Sequence, residues 1–111
     1  MTTSSDKFRD KLHEAVDTFC ERNKIYKDGW VSHGGAMAAL FPNGIQLKTP
    51  EDFSRFILFE MCVSKLNRYA QNFSDGGHPD SVHDNGVYSF ILEIYDEQIE
   101  EEKEENKWNN S

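Results

Sequence analysis

From Phe8 to Cys20 the apolar positions recur every three to four residues. Phe8, Leu12, Ala15, Val16, Phe19 and Cys20 form one stripe, and Asp10, Lys11, Glu14, Asp17 and Glu21 fall mainly off it. That spacing predicts a first helix, from a Ser4/Ser5 cap to about Lys24. Turn chemistry follows at Lys27-Asp28-Gly29-Trp30. The small residues of Ser32 to Phe41 then predict a short second helix, closed by Pro42-Asn43-Gly44. A third start is written at Thr49-Pro50-Glu51-Asp52, with a cap residue, a proline in the first turn and an acid three residues after the cap. The helix predicted there runs to about Asn72. It is apolar nearly all round, through Phe53, Phe56, Ile57, Leu58, Phe59, Met61, Cys62, Val63, Leu66 and Tyr69, which marks a central element. A Gly-rich loop leads to Pro79-Asp80-Ser81, the start of a fourth helix running to about Glu105, with Asn106 to Ser111 as a tail. No segment alternates as a strand does. The expectation is one all-α domain over residues 1–105 and a flexible tail over 106–111. Its form is a compact four-helix bundle with a loop-rich segment between helices 1 and 3.

Composition narrows the functional classes. The chain has 111 residues and a net charge of −8. Residues 96–105 hold −6 of that charge, so the rest of the chain carries only −2. A basic groove for duplex nucleic acid is therefore excluded, whereas a small basic pocket for an anionic ligand is not. There is no apolar stretch of membrane-spanning length and no signal-peptide pattern at the N-terminus. The two cysteines, Cys20 and Cys62, lack zinc spacing and read as reduced thiols of a cytoplasmic protein. A core this small predicts a homodimer or higher homo-oligomer.

Polar residues interrupt the apolar faces at telling positions. On the third helix, Glu60 falls between Phe53, Phe56 and Ile57; Ser64 and Asn67 continue its line and Arg68 lies beside it. An unpaired buried carboxylate is costly, so Glu60 calls for a cationic partner or a metal. On the fourth helix, Val87, Tyr88, Ile91, Ile94 and Tyr95 define an apolar stripe, and counting back in turns places Asp84 and Asp80 on it. Three carboxylates on two facing helices suit a hard cation, Mg²⁺ or Mn²⁺, holding phosphate oxygens. Lys65 and Arg68 are candidate phosphate contacts. His33, His78 and His83 offer a zinc alternative, but without a zinc spacing pattern.

The order Tyr26-Lys27-Asp28-Gly29-Trp30, Thr49-Pro50-Glu51-Asp52, Lys65-x-x-Arg68-Tyr69 and His78-x-Asp80-Ser81-x-x-Asp84-x-x-x-Tyr88 resembles small phage domains. Those domains look like compact relatives of the MazG-like all-α NTP pyrophosphohydrolases. The resemblance implies a phage-encoded protein of the bacterial cytoplasm that hydrolyses a nucleoside triphosphate with Mg²⁺. Glu60, Asp80 and Asp84 would hold the metal, with Glu60 and Asp84 catalytic. Tyr26, Asp28 and Trp30 would meet the base, and Ser64, Lys65, Asn67, Arg68, His78 and Tyr88 would complete the substrate site. The chain departs from that pattern twice. Glu60 has no second acid one turn away, and Asp80 and Asp84 are four residues apart rather than three. Those departures keep two alternatives open: a degenerate nucleotide-binding module that sequesters a nucleotide signal, as a phage counter-defence protein would, and an acidic protein-interaction module built on the last helix.

Overall fold

A computed structural model of the chain describes residues 1–109 and is helical almost throughout: α1 (Ser4–Tyr26), α2 (Gly29–Leu40), α3 (Pro50–Gln71), a single 3₁₀ turn (Phe73–Asp75) and α4 (Pro79–Asn109). No described helix is long and apolar enough to cross a membrane. Each boundary has a local cause. α1 is capped by Thr3 rather than Ser4 or Ser5, because only Thr3 has an acid three residues on. The Asp6 N–H donates to Thr3 Oγ1 (3.1 Å), and the Thr3 N–H donates back to the Asp6 carboxylate (3.2 Å). α3 repeats this box with Thr49 and Asp52, and Pro50 opens the helix as expected. α1 runs two residues beyond Lys24 and stops where Lys27 and Asp28 both take left-handed backbone angles (φ 47° and 58°). That two-residue reversal lets α2 begin at Gly29, three residues before the predicted Ser32. α4 continues as helix through Asn109, so residues 106–109 are not a coil tail; 110 and 111 lie outside the described residues.

α3 is the shared element. α2 and α4 pack antiparallel to it on two flanks, α4 the more extensively, and α1 touches it only near the end. On the α4 side, Cys62 Sγ lies 3.6 Å from Ser89 Oγ, Arg55 Nε donates to Asp96 (2.9 Å), and Lys65 pairs with Asp84 (3.7 Å). On the α2 side, Phe41 at the end of α2 lies against Phe59 and Phe56, at ring separations of 5.6 and 6.2 Å. The α3–α4 turn depends on Gly77 (φ 79°), against whose backbone the Tyr69 ring lies; a Cβ there would overlap the ring. His78 then starts α4: the amides of Ser81 and Val82 donate to its carbonyl, and its Nδ1 lies 2.6 Å from Ser81 Oγ.

The helices do not close into a compact bundle. Among the described residues, Cys62 is the only buried apolar side chain, and Ser81 is the most fully enclosed residue. Neither cysteine is in a disulfide. The radius of gyration is 19.9 Å, against about 13 Å for a compact domain of this length. α3 is central, as expected, but Phe53, Ile57 and Leu66 are about half exposed, because two neighbours cannot cover a helix that is apolar on all sides.

Candidate functional site

The end of α1, the start of α2 and the last turns of α3 enclose a cleft of about 240 Å³, lined by Tyr26, Gly29, Trp30, His33, Ser64, Asn67 and Arg68. Its floor is a polar network. Asn67 Nδ2 donates to the Gly29 carbonyl (2.9 Å), tying α3 to the first residue of α2. The Ser32 hydroxyl sits between that carbonyl (3.2 Å) and Asn67 Oδ1 (3.1 Å) and accepts from Gln71 Nε2 (2.8 Å). These bonds use the Asn67 amide on both sides and fix its orientation, since only its NH₂ can face a carbonyl.

One wall is cationic and aromatic. The Arg68 guanidinium carbon lies 4.1 Å from the Tyr26 ring centroid, a cation–π contact that holds the guanidinium plane without neutralising it. Trp30, more than half exposed, leans on Phe19 at 5.7 Å between ring centres. Tyr26 and Trp30 also border an adjoining groove of about 510 Å³ along α1, where Lys11 and Arg22 supply further positive charge. Lys11 is paired with Glu14, whereas Arg22 has no acidic partner among the described residues.

His33 forms the other wall. Its Nε2 lies 2.7 Å from Glu60 Oε1, while its Nδ1 is enclosed and has no partner.

The turn that sets Tyr26 beside Trp30 is held by two bonds between Asn23 and Asp28. Asn23 Nδ2 donates to Asp28 Oδ1 (2.9 Å), and the Asp28 N–H donates to Asn23 Oδ1 (3.0 Å). Lys27 pairs with Asp75 across to the 3₁₀ turn. Asn72, buried at the end of α3, donates from one amide nitrogen to the carbonyls of Ile25 (2.7 Å) and Arg68 (2.9 Å).

Of the residues expected at a site, the structure brings Tyr26, Trp30, Ser64, Asn67 and Arg68 together around one cleft, with Glu60 held at its edge by His33. The others lie elsewhere. Asp28 serves the α1–α2 turn, His78 begins α4, Asp80 is exposed in the first turn of α4, and Tyr88 and Lys65 do not line the cleft. The carboxylates expected to share a cation are likewise apart. Asp84 is engaged by Lys65, and positions 60 and 65 are roughly 140° apart around α3 at 100° per residue. Glu60 therefore serves the α2 flank and Asp84 the α4 flank. Among the described residues no three His, Cys, Asp or Glu side chains are grouped as cation ligands, the three histidines of the zinc alternative included. As placed, Glu60, Asp80 and Asp84 do not form a donor set for Mg²⁺.

No family model, curated protein or solved structure matches the chain.

Proposed function

We propose that the cleft between α1, α2 and α3 binds a nucleotide. The observation that carries this reading is the Arg68 guanidinium: stacked on Tyr26, unpaired with any described acid, and set in a cleft whose other aromatic is the open Trp30. A planar cation on a ring, beside an exposed indole, is chemistry that receives a phosphate and a base together. The cleft is smaller than the roughly 300–1,000 Å³ of sites that enclose a whole ligand. It has room for one ring or phosphate group, and the remainder of the ligand would lie along the α1 groove toward Arg22. Ser64 and Asn67 add polar groups at its inner end. The resemblance of the sequence to MazG-like pyrophosphohydrolases points to the same ligand class. Because Glu60 and Asp84 are engaged on different flanks of α3, binding and sequestration is the form of that function the geometry supports best, ahead of Mg²⁺-dependent hydrolysis.

The test is a panel of nucleoside mono-, di- and triphosphates and cyclic nucleotides, with Mg²⁺ and with chelator. Binding is read by Trp30 fluorescence in a Trp108→Phe background, and turnover by pyrophosphate release. Quenching without release is the expected result, and it is weakened at least tenfold in Arg68→Ala. Release that requires Mg²⁺ would show that the acids of α3 and α4 gather around a cation after all. No quenching by any member of the panel refutes the nucleotide reading.

A further inference from the structure

The chain exposes 8750 Å², where a folded monomer of 12.9 kDa exposes only about 6,300 Å². Part of the surplus lies on two apolar stripes. Every residue from Met1 to Arg22 is exposed, so the Phe8, Leu12, Val16 and Phe19 stripe of α1 lies open. α4 meets α3 through the face bearing Ser81, Ser89 and Leu92, yet it is apolar on a second side. There Val87, Phe90, Ile91 and Ile94 fall within an arc of about 100° and are exposed. Aromatic side chains contribute roughly 150–250 Å² each, so these eight residues leave on the order of 900 Å² of apolar surface in water, against roughly 800 Å² per partner in a standard interface.

Two observations select what covers these stripes. The first is charge. α4 has ten acids and two lysines, which is the whole chain's net −8, so the remainder is neutral; α1 has five acids and five bases. Packing α4 on another α4 would set two such helices together, whereas α1 on α4 brings Lys7, Arg9, Lys11, Arg22 and Lys24 to an acidic helix. The second is direction. The left-handed pair Lys27 and Asp28, the Asn23–Asp28 clamp and the Asn72 bond to Ile25 fix where α1 leaves the body, so it does not fold back onto its own α4. Because the shortfall is in the chain's own core, the occupant must be present whenever the chain folds, which an occasional partner is not. We propose that two copies exchange α1, each laying its Phe8–Phe19 stripe along the Val87–Ile94 stripe of the partner's α4, related by a two-fold axis.

Sedimentation and light scattering of the full chain should give a species of twice the chain mass. Leu12→Lys on α1 and Ile91→Glu on α4 should each weaken association at least tenfold. Mixing the two variants should restore the dimer, because one α1–α4 contact is then wild type and the other sets lysine against glutamate. A monomeric wild type, a dimer indifferent to Ile91→Glu (α1 on α1), or no recovery on mixing overturns the proposal. If circular dichroism shows that either variant has lost its helix, Leu12→Gln and Ile91→Gln replace them, and association unchanged in both overturns it equally. Association is measured without nucleotide, so its failure is distinguished from failure of the nucleotide reading even though Phe19 and Arg22 border both surfaces.

Discussion

Asn72→Ala is the substitution through which the reasoning about the cleft is most exposed to failure. Asn72 is one of two buried polar residues among those described, and its single NH₂ group serves two helices: it donates to Ile25 O at 2.7 Å and to Arg68 O at 2.9 Å. The Ile25 bond, together with the Lys27–Asp75 pair and the Arg68–Tyr26 stack, is what the end of α1 has to hold it on α3. Removing the amide deletes two hydrogen bonds, each worth about 1 kcal/mol net. Water reaches both carbonyls only in part, so the total should be about 2 kcal/mol. At roughly 4 °C per kcal/mol for a domain of this size, the melting temperature should fall by about 8 °C at fixed protein concentration. The local effect should exceed the global one. Amides of residues 23–31 should exchange markedly faster, and Trp30 fluorescence should shift toward that of a solvated indole as Tyr26 loses its place over Arg68. Asn72→Asp should be worse, since a carboxylate would face two carbonyl oxygens. An unchanged melting temperature with unchanged exchange over residues 23–31 would show that α1 is held by something other than Asn72, and the cleft would lose its rigid wall.

Gly77→Ala should cost several kcal/mol, because it combines a left-handed backbone angle with overlap against Tyr69; chemical denaturation reads it, and a cost under about 1 kcal/mol would mean that the α3–α4 turn is not built as described. Thr49→Ala should remove about 1 kcal/mol through loss of the α3 cap, measured in the same way. The N–H groups of Lys48 and Thr49, pointed at Asp52, hold its carboxyl below the usual range. A depressed native value contributes stability that is present above the ordinary carboxylate pKa and is lost as pH falls through the native one. The acid limb of the melting curve should therefore be flatter in Asp52→Asn than in wild type below about pH 4. Asp84→Asn should change stability by no more than about 1 kcal/mol, because Lys65 and Asp84 meet at 3.7 Å with the carboxylate nearly half exposed; a larger loss would give that pair a structural weight the geometry denies it.

Helix number and order were legible because each start carries its own chemistry in consecutive residues. Thr49-Pro50-Glu51-Asp52 predicts a capping box, and the structure forms it. The misplacement at α1 has the same origin, since Ser4 and Ser5 are cap residues by type but only Thr3 has Asp6 at the required distance. The length of α4 was misjudged for a different reason. Asn106-Lys107-Trp108-Asn109 reads as a polar tail, yet it holds no glycine or proline to stop the helix, which continues through Asn109. The stripe read as inward on α4 contained Val87, Ile91 and Ile94, and these are exposed on the monomer. Periodicity identifies an apolar face, and it does not say whether the same chain or another one covers it.

The same limit explains why the cleft was half visible. Ser64, Asn67 and Arg68 could be placed on one side of α3 because 100° per residue ties their azimuths together. What periodicity cannot supply is the angle between one helix and the next. "Inward" on α3 names two directions, toward α2 and toward α4, and Glu60 and Asp84 were assigned to one cavity because each was inward on its own helix. The structure resolves the ambiguity through partners: Glu60 meets His33 on the α2 flank, and Asp84 meets Lys65 on the α4 flank. His33 had a signal of its own, as the one titratable side chain in a helix otherwise made of small and apolar residues. A ring in that setting needs a polar partner from a neighbouring helix, and the carboxylate isolated between Phe53, Phe56 and Ile57 needs one too. Pairing the odd residue of α2 with the odd residue of α3 would have joined two separate anomalies into one contact. It gives Glu60 a partner on the neighbouring helix.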